Sequence, residues 1–198
     1  MANRGYLFPD EQPRPPFDHF EWSRRHPGGW HCESRHGIPL GWMLLFDPTD
    51  SCEAVVMDDD GQPLDFTELR LVAERADVID RFERRRPTLE ATLPDAFDFR
   101  PLDLFGVVLS EWTARFVVLD PCEIVEDEFA VVRDELDALF DALDAGAIAA
   151  DAIPSWVSSP LAGRHPPVGS VDPESLIVGF SPHTKVDAIR RQLGLPRL

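Results

Sequence analysis

Histidine and cysteine side chains gather in one short stretch of this chain, at His26, His31, Cys32 and His36. Imidazole nitrogens and thiolate sulfurs are the ligands that zinc prefers in proteins. The stretch is therefore the candidate metal site, zinc the candidate cofactor, and a metal-dependent enzyme using residues 26–36 one candidate function. The spacing matches none of the common zinc patterns, and the adjacent His31 and Cys32 do not easily face one ion. Histidines scattered over a surface loop are the competing interpretation.

Other residues that could do chemistry lack a recognisable arrangement. Asp58–Asp60 offers carboxylates for calcium or magnesium, but three acids before a glycine are more typical of a solvated turn. No G-x-S-x-G motif occurs, acids surround Cys122 and disfavour a thiolate, and His183 has no assignable nucleophile. We therefore predict no catalytic residue.

The negative charge of the chain is concentrated in its middle. Residues 41–151 hold 28 of the 36 acidic residues and nine of the 19 basic ones, and the whole chain carries a formal net charge of −17. A strongly negative surface attracts cations and basic proteins and repels nucleic acid and anionic membranes. We therefore expect a basic protein as the partner, rather than nucleic acid or a membrane.

A predicted acidic helix supplies the candidate partner-binding face. Acidic residues recur from position 123 to position 144, and apolar residues at steps of three and four form the opposite stripe of the same helix. The candidate residues for binding a basic partner are Glu126, Asp127, Asp134, Asp137 and Asp141. An acidic face that is merely solvated is the competing interpretation.

Five tryptophans are many for a chain of this length. Trp42 and Trp112 lie in apolar segments and are predicted to be core residues. Trp22, Trp30 and Trp156 lie in loop-like segments, where an amphipathic ring either pins the loop to the body or anchors a partner. Trp156 joins the candidate partner-binding residues as the aromatic anchor.

Size and pattern predict one α+β domain over residues 1–198. Strands and helices do not alternate regularly, which favours a mainly antiparallel sheet packed by two or three helices. Proline-rich segments at 9–37 and 151–173 are predicted to be irregular. The chain shows no apolar leader, no uncharged run of membrane length and three widely spaced cysteines, so we expect a cytoplasmic protein.

Local signals predict the individual elements. Strands are expected at 3–8, 53–57 and 175–180, and helices at 126–144 and 185–193; shorter helices are expected at 17–25 and 38–46. Asp65 and Glu68 have capping-box spacing, which predicts a helix over 65–86. A strand over 69–73 with a later helix is its competitor. Two β-rich runs, at 104–109 and 112–119, predict a hairpin.

Two short motifs resemble a known group of proteins. The opening Met1-Ala2-Asn3-Arg4-Gly5-Tyr6-Leu7 resembles uncharacterised bacterial proteins that begin M-A-N-R-x-Y-L, and Leu119-Asp120-Pro121-Cys122-Glu123-Ile124 is similar to their L-x-P-G-E-I turn, with cysteine in place of glycine. The resemblance implies a domain of unknown function and carries over no catalytic residue. Small, acidic members of that group invite comparison with immunity proteins of bacterial toxin systems.

The hypothesis that follows is a non-enzymatic acidic binding protein, an immunity or antitoxin-like inhibitor that docks on a basic protein surface. A metal-dependent enzyme built on residues 26–36 is the first alternative. A regulatory subunit of a larger assembly is the second.

Overall fold

A five-stranded sheet with helices on one face forms the body of the protein. The computed structural model describes residues 4–13, 19–35, 37–57, 62–93, 98–121, 124–125, 129–159, 161 and 184–194. The strands are β1 (Arg4–Asp10), β2 (Cys32–Arg35), β3 (Ile38–Pro39), β4 (Ser51–Met57), β5 (Pro63–Glu74), β6 (Phe116–Asp120) and β7 (Val157–Ser158). The helices are α1 (His19–Arg25), α2 (Leu40–Met43), α3 (Arg75–Thr92), α4 (Arg100–Glu111), α5 (Phe129–Asp144) and α6 (Thr184–Gln192).

The strand order of the main sheet is β2-β1-β6-β5-β4. Every pairing in it is antiparallel. The predicted α+β class with a mainly antiparallel sheet is therefore confirmed. A separate parallel pair joins β3 to β7 and ties the start of α2 to the chain after α5.

Side-chain alternation along the strands gives the sheet two faces of different composition. The first face joins the main core, with apolar residues of α3, α4 and α5, through side chains that include Leu7, Leu71 and Leu119. The second face forms a smaller cluster, Tyr6, Phe8, Trp22 and Val118, in which Trp22 belongs to α1. The three long helices thus cover the first face, and α1 lies on the second.

The segment predicted as a helix over 65–86 is a strand followed by a helix. β5 runs to Glu74 and α3 begins at Arg75, so the competing interpretation, with its strand over 69–73, is the correct one. The reason is tertiary: Leu69, Leu71 and Ala73 alternate into the core, and β5 pairs with β4 on one side and β6 on the other. The apolar residues at steps of three and four, which suggested one helix, lie by coincidence on both sides of the boundary between β5 and α3.

The predicted hairpin over 104–119 is wrong in its first half. Residues 100–111 form α4, which buries Leu102, Phe105 and Val108 at helical spacing, and Pro101 occupies its first turn, where a missing N–H costs nothing. Only the second half forms a strand, β6. Adjacent valines and leucines look like a strand in the sequence, because the sequence does not show which of them are buried.

Several local predictions agree with the structure. Strands occur at the predicted positions 3–8 and 53–57 as β1 and β4, the acidic helix is α5 and the last helix is α6. Trp42 and Trp112 are buried as predicted. The strand predicted at 175–180 and the carboxylates at 58–60 lie outside the described residues.

A buried arginine joins α3 to α5 and to the segment after α2. The side chain of Arg85 on α3 is 1% exposed. Its Nε and Nη2 donate to the two carboxylate oxygens of Asp144, at 2.8 and 2.9 Å. Nη2 also donates to Asp47, and Nη1 to the carbonyl oxygens of Leu44 and Phe46. One guanidinium therefore fixes three segments that are distant in sequence.

Replacement of Arg85 should destabilise the protein strongly. In Arg85→Met the carboxylates and carbonyls that it holds lose their donors, and removing one partner of a buried pair costs about 3–5 kcal/mol. We expect the lower end of that range, because Asp144 is 43% exposed and can rehydrate. The measurement is the free energy of unfolding by denaturant titration.

Arg84→Met is the matched control. Arg84 pairs with the same Asp144 at 3.2 Å but is 59% exposed, and exposed pairs contribute less than about 1 kcal/mol. Equal losses in the two variants would contradict the role given to Arg85.

Candidate functional site

The outer surface of α3 carries exposed carboxylates. The helix buries Val78, Phe82, Arg85 and Leu89, which leaves the acids between them, Asp77, Asp80 and Glu83, exposed to solvent. No ion pair involves these three acids among the described residues. Their negative charge is therefore available to a partner.

Two of the predicted acidic residues of α5 are exposed, and the third has one buried carboxylate oxygen. Asp134 and Asp141 are exposed and Asp137 is half-buried, while the apolar stripe at Val132, Leu136 and Leu139 is fully buried. The exposed Ala138 lies between the acids. None of the three aspartates has an ion-pair partner in the described part of the chain. We call these three aspartates and the exposed Asp77, Asp80 and Glu83 of the neighbouring α3 the acidic face.

Other carboxylates of the middle segment are neutralised by the protein's own arginines. Arg81 binds Asp47 at 2.8 Å and Asp50 at 2.5 Å, and Arg86 binds Glu90 and Asp103, each at 2.6 Å. Hydrogen bonds from Arg85 hold the pKa of Asp144 below its usual range. Asp47, Asp50, Asp103 and Asp144 lie at contacts between segments, whereas Glu90 pairs within α3. These arginines therefore stabilise the fold and, in the described part of the chain, leave the acidic face uncompensated.

The remaining predicted partner-binding residues have different positions. Glu126 and Asp127 lie outside the described residues. Trp156 is 7% exposed, and its indole N–H donates to Glu135 of α5 at 2.8 Å. Its ring packs in the main core. Trp156 is therefore an interior residue, and its ring is not exposed as a partner-binding anchor would be.

The sheet separates two of the predicted zinc ligands, His31 and Cys32. Cys32 opens β2 opposite Leu7 and points into the main core. The His31 ring lies on the second face instead, 5.8 Å from Tyr6 and 4.3 Å from His19 between ring centroids. His26 is exposed at the end of α1, and His36 lies outside the described residues. Because consecutive residues of a strand point to opposite faces, His31 and Cys32 do not meet at one ion.

Burial sets the state of the Cys32 thiol. The side chain is 3% exposed, and burial raises the pKa of Cys32 to about 12. A neutral thiol is neither a nucleophile nor a metal ligand. Among the described residues, no group of three His, Cys, Asp or Glu side chains is placed to hold a metal ion.

A row of polar side chains crosses the second face of the sheet. The antiparallel register places Tyr6 opposite both Glu33 and Asp120, and Cys52 opposite Arg70. Arg70 and Asp120 form a buried ion pair at 3.8 Å. The backbone N–H of His19 donates to Asp120 at 3.1 Å, so this row is also the surface on which α1 sits.

Sequence reasoning missed the acids of α3 and the pairing of His19 with His31. Asp77, Asp80 and Glu83 recur every three residues, opposite buried apolar side chains, and that spacing was a usable signal. The predicted helix over 65–86 already contained all three acids, so this face could have been predicted. No local pattern encodes the approach of α1 to the end of the loop before β2, because tertiary packing alone brings them together.

Comparison of the chain with protein-family models, curated proteins and solved structures finds no match. Within the described residues, no helix is long and apolar enough to cross a membrane. The function must therefore be argued from the geometry of the acidic face and of the second face of the sheet.

Thiol reactivity should separate Cys32 from Cys52. In the native protein at pH 7.5 we expect iodoacetamide to leave Cys32 unmodified, since its thiol is buried and neutral, and to label the half-buried Cys52 faster. Peptide mass spectrometry after timed labelling measures both rates. Denaturant should make the two labelling rates equal. If Cys32 reacts as fast as Cys52 in the native protein, the Cys32 thiol is not buried.

Proposed function

We propose that this chain is a non-enzymatic binding protein that docks its acidic face on a basic surface of another protein, in the manner of an immunity protein or antitoxin-like inhibitor. The observation that carries the proposal is the division of charge. Arginines neutralise acids at the contacts between segments, whereas the six acids of the acidic face have no ion-pair partner in the described residues.

The geometry of the acidic face suits electrostatic docking. Asp134, Asp137 and Asp141 span about 10 Å along α5 at the helical rise. α3 packs beside α5, and Arg85 and Arg84 hold the two helices together. The acids are thus displayed on a rigid two-helix surface, which limits the ordering cost on binding. Charge complementarity of this kind raises the association rate and makes it sensitive to salt.

A photo-crosslinker at Ala138 tests where the partner binds. Ala138 is exposed between the acids of α5, and the same crosslinker at Ser23, exposed on α1 across the sheet, is the matched control. Amine-reactive reagents are poorly suited because Lys185 is the chain's one lysine. We expect one basic protein to be captured at position 138 in the native cell and not at position 23.

Charge neutralisation tests how the partner binds. With the captured protein purified, Asp134→Asn/Asp137→Asn/Asp141→Asn should slow association at least about tenfold at low ionic strength, because steering contributes factors of 10 or more. Stopped-flow rates across a salt series measure it. The control Glu53→Gln/Glu111→Gln/Asp151→Asn removes three exposed acids elsewhere on the described surface.

Two results would overturn the proposal. One is equal capture at positions 138 and 23. The other is an association rate that ignores both ionic strength and the α5 substitutions while the two triple variants keep the wild-type free energy of unfolding.

A further inference from the structure

α1 carries a buried imidazole at its first residue. His19 is 4% exposed, and neither ring nitrogen has a hydrogen-bond partner in the described part of the chain. Its ring stacks on Tyr6 at 3.6 Å with an interplanar angle of 7°, and Phe8 and Trp22 lie at 5.6 and 5.8 Å. An imidazole in such a place is tolerated when neutral, because an unpaired buried charge is far more costly than an unpaired dipole.

The charged groups near His19 offer no compensation to an imidazolium. Asp120 uses one oxygen to accept the backbone N–H of His19, and its other oxygen faces Arg70. His31 is a second imidazole, 4.3 Å away between ring centroids. Among the described residues, the other charged groups of β1, β2 and α1 are Asp10, Glu33, which Arg4 and Arg35 engage, and Glu21, Arg24 and Arg25, with His26 directly after α1.

α1 is held to the sheet by few side chains. In its seven residues only His19 and Trp22 are buried. The main core lies on the opposite face of the sheet and does not include them. An element with so little buried surface can open locally while the rest of the protein stays folded.

We propose that acid releases α1 from the sheet, with protonation of His19 as the trigger. The inference concerns the second face and is independent of the proposed docking function. Release would expose the rings of Tyr6 and Phe8, which α1 covers at neutral pH, and the ring of Trp22, which α1 itself buries against the sheet. The mildly acidic form of the protein would therefore present an aromatic surface that the neutral form hides.

The direction of the pH dependence follows from the two states. Burial, followed by the charge of His31, lowers the pKa of His19 to about 3 in the docked state, whereas a released histidine titrates near 6.5. The docked state is therefore at full stability above pH 6.5 and weakens as pH falls towards 3. The docking equilibrium should fall about tenfold per pH unit, or about a hundredfold by pH 4.5.

Hydrogen exchange measures this opening directly. We expect the protection factor of the α1 amides, including the His19 N–H, to fall about a hundredfold from pH 7.5 to pH 4.5, while β6 amides keep theirs. His19→Phe retains the stacked ring without nitrogens and should make α1 protection independent of pH.

His26→Gln, at an exposed histidine of the same helix, should respond to acid like the wild type. The proposal fails if α1 protection in the wild type is constant over this range, or if His19→Phe responds as the wild type does. Should that variant not fold, NMR titration of the His19 ring in the wild type decides. A pKa near 6.5 with α1 still protected would overturn the inference.

Discussion

The burial of one guanidinium between three segments is the constraint on which the rest of the structure depends. Arg85 is 1% exposed and meets two carboxylates and two backbone carbonyls. Arginine suits this place because its planar fork directs several donors at fixed angles and stays charged at any ordinary pH. A buried cation of this kind obliges the chain to supply acids at fixed points, here Asp47 and Asp144, and those points determine how α3 and α5 lie together.

The surface charge follows from that arrangement. Arg81, Arg84 and Arg86 follow Arg85 in binding acids near the contacts of α3. Most of the basic residues in the middle segment therefore form ion pairs that stabilise the fold. The acids on the outer sides of α3 and α5 are left without partners in the described residues, so the net charge read from composition divides into a structural part and an uncompensated part. Only the second part can act on another molecule at a distance.

The elements that sequence could predict are those whose signals are local. α5 has a complete amphipathic stripe, and β1 and β4 are short apolar runs next to turns. The boundary between β5 and α3 depends on pairing with β4 and β6, and the helical state of α4 depends on which of its valines are buried; neither is local. The candidate site divides in the same way. The acids of α5 and of α3 both follow from helical periodicity, whereas the burial of Trp156 depends on tertiary packing that includes its contact with Glu135.

In the histidine-rich stretch, the chemistry open to a side chain depends on the face of the sheet on which it lies. The same few residues that suggest zinc by composition are divided by strand alternation, so Cys32 becomes a neutral core thiol and His31 joins His19 against the aromatic rings of β1. Two imidazoles in such surroundings favour the neutral state in each other, since a proton on one raises the cost of a proton on the other. The stretch that suggests a zinc site in the sequence thus holds, once folded, a neutral thiol and an imidazole packed against a second imidazole.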